Sequence, residues 1–356
     1  MIYTFMDFCA GIWCGRLGLE RAWFQCVAFS EINKKAEWTY RTFYGNEEKN
    51  FWDLMKINSS ELPDFDILIA WFPCQTFSVM GQRKWMEDPR WQIIFWITKI
   101  LKERKIKYFI LENVKWLVNH ENGKTIKSIV ELLNDAGYHV KWEVLNTIDY
   151  GLPQSRDRVY FLWVRKDLWP FQKKLSFPEK KHRVGLEKYL IEKSSKYILS
   201  ESRLNTLEYY LRNKYNKWFI TINDLLKKTW YIIDTRQSDI RFYKDFSPTL
   251  RTGRHGLIYV RDNKLRDVSG LEALLLQWID YNKAIKTQWI ISDQDLLGQA
   301  GNAMSVNVIE ALGKSLATFI SHQKSYDRSN TTLIPDSKTM IPEWNRRYWD
   351  IQWLAA

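Results

Sequence analysis

Cys74 stands where a thiol can do chemistry. The run Phe65-Asp66-Ile67-Leu68-Ile69-Ala70 reads as a buried strand, and Pro73 cannot donate to a sheet ladder, so the strand stops there. Cys74 then falls in the loop at the strand's carboxyl end, where ligands and reactive groups collect in an open α/β sheet. Alone, a cysteine there reads more simply as a buried structural residue. It has company. A second apolar strand, Tyr108-Phe109-Ile110-Leu111, ends in Glu112-Asn113-Val114, and a third segment reads Gly151-Leu152-Pro153-Gln154-Ser155-Arg156-Asp157-Arg158. A thiol can be a nucleophile, a carboxyl group can carry a proton, and arginine supplies a fixed positive charge.

The elements that must position these groups can be read in order. Tyr3 to Cys9 is a strand, Ala10 to Gly15 a turn, Arg16 to Trp23 the start of a helix, and Cys26 to Glu31 a second strand. That strand ends in an acid 20 positions after Gly11, the arrangement of a nucleotide-binding βαβ unit. The glycines, Gly11, Gly15 and Gly18, do not form G-x-G-x-x-G. The residues alone therefore leave a nucleotide site and an ordinary βαβ unit both open. Trp91 to Lys102 has helical spacing, with a basic tail to Lys107 that reads as a solvated face. Thr125 to Ala136 is a helix stopped by Gly137, and Val140 to Thr147 and Arg158 to Val164 are strands. Six or seven strands alternating with helices predict an α/β fold with a doubly wound, mostly parallel sheet.

After Arg165 the character changes. Residues 166–245 are rich in Lys, Tyr, Asn and Trp, as in Lys180-Lys181-His182-Arg183 and Tyr209-Tyr210-Leu211-Arg212. Basic residues interleaved with aromatics suit a nucleic-acid surface, with an irregular soluble insert as the plainer alternative. Ser305 to Ile320 reads as a closing helix, and 323–356 as a mobile tail.

Composition bounds the function. The chain has 356 residues, 46% of them apolar, and a formal net charge of +12, which suits a polyanionic partner. No run of 18 apolar residues occurs, and Met1 to Asp7 lacks a basic n-region, which predicts neither membrane span nor signal peptide. The four cysteines lie within the first 74 residues without a C-x-x-C pair. This argues against disulfides and a zinc site, and for a reducing compartment, the cytoplasm.

Pro73-Cys74-Gln75, then Glu112-Asn113-Val114, then Gln154-x-Arg156-x-Arg158, and finally Gly298-Gln299-Ala300-Gly301-Asn302-Ala303-Met304, in this order, resemble the DNA (cytosine-5)-methyltransferase family over roughly residues 1–322. The resemblance implies a Rossmann-like methyltransferase fold with a smaller inserted target-recognition domain. Its parts would be a catalytic domain at 1–165, target recognition at 166–260 with a variable core at 166–245, and a C-terminal return at 261–322. It implies methyl transfer from S-adenosylmethionine to carbon 5 of a flipped-out cytosine in double-stranded DNA. Catalysis would fall to Cys74, Glu112, Arg158 and Arg156. Cofactor binding would fall to Asp7, Phe8, Ala10, Gly11, Ile12, Glu31, Asp53, Phe72, Pro73 and Asn302, with Glu31 on the ribose and Asp53 near the adenine. Asp53 read alone could equally be an exposed loop acid. DNA contacts would come from Gln82, Arg83 and Lys84, and from Arg251 and Arg254 in Pro248 to Arg254. A monomer without metal is expected, with a cognate restriction endonuclease left open as a partner. Two other functions compete: a transfer-RNA cytosine-5 methyltransferase, and a DNA-binding protein with an impaired cofactor site.

The second of these comes from composition. The chain has 19 Trp against 15 Gly, whereas glycine ordinarily supplies about 7% of residues. Trp13, Trp52, Trp71, Trp85, Trp91, Trp116, Trp163 and Trp278 stand where the resembling family has glycine. The expectation is that these eight are UGA codons decoded as glycine in the source organism, with Trp13 and Trp71 the clearest cases. An indole at 13 would then compete with the cofactor's methionine part for space.

Overall fold

The computed structural model describes residues 2–72, 92–168, 175–212, 220–237 and 239–329. Contacts divide the chain into two compact units, Met1–Ala317 and Thr318–Ala356.

The first half builds one sheet and its helices. In chain order these are β1 (Thr4–Phe8), α1 (Cys14–Arg21), β2 (Gln25–Ser30), α2 (Lys34–Tyr44), β3 (Lys49–Asn50), β4 (Ile67–Trp71), α3 (Gln92–Glu103), β5 (Tyr108–Val114), α4 (Trp116–Asn119), α5 (Lys124–Asp135), β6 (Tyr138–Asn146), β7 (Gln154–Ser155) and β8 (Asp157–Arg165). The seven-stranded order is β3-β2-β1-β4-β5-β8-β6. β1 pairs in parallel with β2 and β4, β2 with β3, and β4 with β5, while β8 runs antiparallel to both β5 and β6. The expected doubly wound, mostly parallel sheet is what forms. β1, β4 and β5 are apolar along almost their whole length because helices cover both faces, so no polar alternation appears. β5 does not stop at Leu111: it continues through Glu112 and Asn113 to Val114, which pairs with Arg158 of β8.

The second half adds α6 (Glu201–Leu211), α7 (Ile222–Leu226), β9 (Tyr231–Asp234), β10 (Arg241–Lys244), β11 (Ser247–Pro248), β12 (Leu257–Arg261), β13 (Lys264–Asp267), α8 (Gly270–Leu275), α9 (Tyr281–Ala284), α10 (Asp293–Asn302) and α11 (Val306–Ser329). A separate four-stranded antiparallel sheet, β10-β9-β12-β13, extends to Asp267. Its core gathers Leu207 and Leu211 of α6 with Ile233, Ile258 and Val260. Two short parallel strands, β7 and β11, tie this part to the Gln154–Arg158 segment. The closing helix runs past Ile320 to Ser329, because residues 321–329 contain neither Gly nor Pro to break it. The expected tail thus begins as helix, and the rest of it lies outside the described residues.

Candidate active site

Strand order reverses on either side of β1, and the carboxyl ends of β1 and β4 open a crevice there. A cavity of about 470 Å³ fills it, lined by Gly11 and Ile12 after β1, Glu31 after β2, Trp52 and Asp53 after β3, and Trp71 at the end of β4. The turn after β1 bends tightly, with φ of 51° at Cys9, 58° at Gly11 and 79° at Trp13. Glu31 braces it: one carboxylate oxygen accepts the Gly11 N–H at 2.7 Å, the other the Asn33 N–H at 2.6 Å. Asn33 in turn caps α2 by accepting from the Lys35 and Ala36 N–H groups. Burial holds the Glu31 carboxyl above its usual pKa, opposed by the Asn33 and Gly11 amides.

Of the residues expected to hold a cofactor, Ala10, Gly11, Ile12, Glu31, Asp53 and Asn302 line this cavity. Asp7, Phe8 and Phe72 are buried around it and are absent from its lining. Asp7 accepts the Arg16 N–H at the start of α1 through one oxygen, while the other has no partner among the described residues, and burial pushes its pKa well up. Pro73, Cys74, Gln82, Arg83 and Lys84 lie outside the described residues.

The cavity adjoins a second, open cleft of similar volume, with Thr252 and Asn302 lining both. Arg158, Val114 and Trp116 line that second cleft. Glu112 lies beneath, in register with Trp71 on β4 and Tyr160 on β8. It is fully buried, and among the described residues neither carboxyl oxygen has a hydrogen-bond partner. Arg158 Nε stands 3.2 Å from Glu112 Oε1, outside hydrogen-bonding alignment. Burial raises the Glu112 pKa against the opposing charges of Arg158 and Arg156.

Arg156 is placed differently. Its guanidinium donates to the carbonyls of Leu250 (3.3 Å), Gly301 (3.1 Å) and Ala303 (2.7 Å) and is essentially inaccessible. Burial, with the neighbouring charge of Arg158, brings its pKa down to about 9. It clamps the Gln154–Arg158 segment to α10 and to the stretch before Arg251.

Asn113 has a role that its place in the motif does not reveal. Its side-chain amide donates to the Phe72 carbonyl at 3.0 Å, and the Phe72 N–H reaches the Glu112 carbonyl at 3.5 Å. It therefore fixes the exit of β4, two peptide units before Cys74. The only signal was an amide next to an acid at a strand end.

Gly301 belongs to the last motif for a steric reason. A Cβ there would run into the backbone of Arg251 and Thr252, with Arg251 Cα only 3.0 Å away. Gly301→Ala must separate α10 from the segment shared by both clefts. We expect it to lower stability by about 1–3 kcal/mol, as overpacking does, and to weaken cofactor binding in calorimetry; unchanged melting would show that the segment yields freely.

A third cleft, of about 420 Å³, is lined by Arg251, Arg254 and His255, and by Lys196 and Arg203, which pair with Asp293 and Asp267 of the same lining. Residues 251–255, Arg-Thr-Gly-Arg-His, are all exposed between the second and third clefts.

The profile of the C-5 cytosine-specific DNA methylase family matches residues 3–318. The chain is 32% identical over 333 residues to type II methyltransferase M1.ScrFI of Lactococcus lactis subsp. cremoris, covering 90% of this chain and 80% of that protein. It is also 32% identical over 274 residues to orphan methyltransferase M.Rho11sI of Bacillus phage rho11s, and there it spans about half the relative's length (53%). In structure it resembles the Entamoeba histolytica methyltransferase EhMeth, with a TM-score of 0.67 at 19% identity over 90% of this chain and 99% of that one, which speaks to the fold.

Proposed function

Because the chain belongs to the C-5 cytosine-specific DNA methylase family, we propose that it methylates carbon 5 of cytosine in double-stranded DNA through a covalent Cys74 adduct. The observation that carries this is a buried carboxyl group without hydrogen-bond partners among the described residues, Glu112, set beside Arg158 and in register with Trp71 at the end of β4, three residues before Cys74 in the sequence.

S-adenosylmethionine, when bound, supplies an electrophilic methyl group. The crevice suits it: an apolar wall of Ile12 and Leu54, a backbone turn open to a ligand at Gly11, and a buried carboxylate, Glu31, whose remaining lone pairs can accept hydroxyl groups. Asp53 is the second acid on that lining. The reaction begins when the Cys74 thiolate adds to carbon 6. Glu112, protonated, meets the base at N3 and stabilises the charge moved into the ring. Arg158 adds fixed positive field. With the cofactor bound, its sulfonium would give up the methyl group to the electron-rich carbon 5 and be left as a thioether; loss of the carbon-5 proton to water would then expel the Cys74 thiolate and restore the ring. Arg156 and Asn113 position the two loops involved. The thiol must reach the face of the ring, so the cytosine leaves the stack at a cost of a few kcal/mol.

The target-recognition part, expected at 166–260, is proposed to read the DNA sequence; its sheet runs on to Asp267. The exposed run Arg251 to His255, with Arg251 and Arg254 at the rim of the third cleft, supports contact with the phosphate backbone. Among the described residues no helix is long and apolar enough to cross a membrane.

The test supplies labelled S-adenosylmethionine with duplex DNA or transfer RNA and locates the methyl group by sequencing. Label at carbon 5 of cytosine within one recurring duplex sequence is expected. Label on transfer RNA alone would replace this reading.

A further inference from the structure

Five tryptophans hold a backbone conformation that favours glycine. Trp13, Trp23, Trp52, Trp230 and Trp278 have φ of 79°, 66°, 55°, 61° and 66°. They are five of the twelve tryptophans whose backbone is described, while seven of the fourteen described glycines have positive φ. Most of the other non-glycine residues in this region are Asn or Asp, whose short polar side chains tolerate it; a bulky aromatic does not.

Two of the five sit in one recurrent helix ending. After α1, the Phe24 N–H bonds to the Leu19 carbonyl and the Trp23 N–H to the Glu20 carbonyl. After α8, the Ile279 N–H bonds to the Leu274 carbonyl and the Trp278 N–H to the Leu275 carbonyl. This paired pattern requires a left-handed residue just past the helix, and that residue is usually glycine.

Trp13 adds a steric argument. Its ring is almost wholly buried, its Nε1 has no partner among the described residues, and its centroid lies 2.8 Å from that of Tyr40. Aromatic pairs keep centroids about 4.5–7 Å apart. The space between Phe29, Tyr40 and Tyr44 does not hold an indole.

We propose that Trp13, Trp23, Trp52, Trp230 and Trp278 occupy glycine positions, their codons being UGA that the source organism decodes as glycine. The set differs from the one composition suggested. Trp13, Trp52 and Trp278 remain; Trp23 and Trp230 join them. Trp71, Trp116 and Trp163 lie in β4, at the start of α4 and in β8, where backbone geometry makes no such demand. Trp85 and Trp91 lie outside the described residues. The expected collision of Trp13 with a cofactor is also corrected: its indole points behind the turn and is absent from the cavity lining, whereas Trp52 and Trp71 line it.

The proposal rests on backbone geometry and not on the proposed reaction, and neither arm of its test reads methyl transfer. The first arm reads the gene: UGA is expected at all five positions, and UGG at Trp13, Trp23 and Trp278 overturns the proposal. The second arm compares melting of the chain as written with Trp13→Gly. An exposed left-handed site such as Trp23 gains from glycine in any protein, so only the buried position discriminates. Removing a genuine core indole would leave a cavity and lower the melting temperature. Here it is expected to rise by several degrees; a fall overturns the proposal.

Discussion

Cys74→Ala is expected to abolish methyl transfer, by on the order of 10³-fold or more, as loss of a covalent nucleophile does. It should also remove the stable adduct that the unaltered protein forms with duplex DNA carrying 5-fluorocytosine. Fluorine at carbon 5 cannot leave as a proton does, so the thioether persists and shifts the protein on a denaturing gel. The other cysteines make the test specific. Cys9, Cys14 and Cys26 are free thiols, and burial pushes all three pKa values upward, that of Cys14 to about 12. They stay protonated at neutral pH and attack poorly. An adduct that forms undiminished in Cys74→Ala would move the chemistry to another residue. Adduct loss with unchanged DNA binding would tie it to Cys74.

The apolar strands were legible because burial on both faces leaves continuous runs, and the carboxyl ends of those runs locate the crevice. Glu112 and Arg158 could be named from their motifs, but the sequence does not show that they meet across β5 and β8, since that depends on antiparallel register. Arg156 illustrates the limit: a motif arginine resembles its neighbour in the sequence, and only tertiary contacts commit it to three carbonyls 94 to 147 residues away. The region after Arg165 hid its helices for another reason. In α6 only Leu207 and Leu211 are buried, while Tyr209 and Tyr210 beside them are exposed, so no clean apolar stripe marks the face. The tryptophans were noticed through composition. Positions 23 and 230 could not be, because helix endings and strand entries carry no motif, and their requirement appears only as a positive φ.

Glu112→Gln should separate function from stability in opposite directions. Glutamine keeps the shape but cannot give or take the proton at N3, so activity is expected to fall by about 10²–10⁴-fold. Stability is expected to increase at neutral and alkaline pH. The reason is that Glu112 is fully buried without a hydrogen-bond partner among the described residues, and burial raises its pKa despite Arg158 at 3.2 Å. Below the unfolded carboxyl pKa both states are protonated, and the group costs folding little. As pH rises above that value the unfolded chain ionises readily while the folded one resists, so the native state loses stability until its own raised pKa is passed. Glutamine cannot ionise and so removes this loss. Denaturant unfolding at pH 5 and pH 8 reads it directly, with the variant's advantage widening toward pH 8. A variant less stable at both values would mean that Arg158 holds Glu112 ionised and that removing the carboxylate strands a buried cation. In that case Glu112 could not serve as the proton donor at N3.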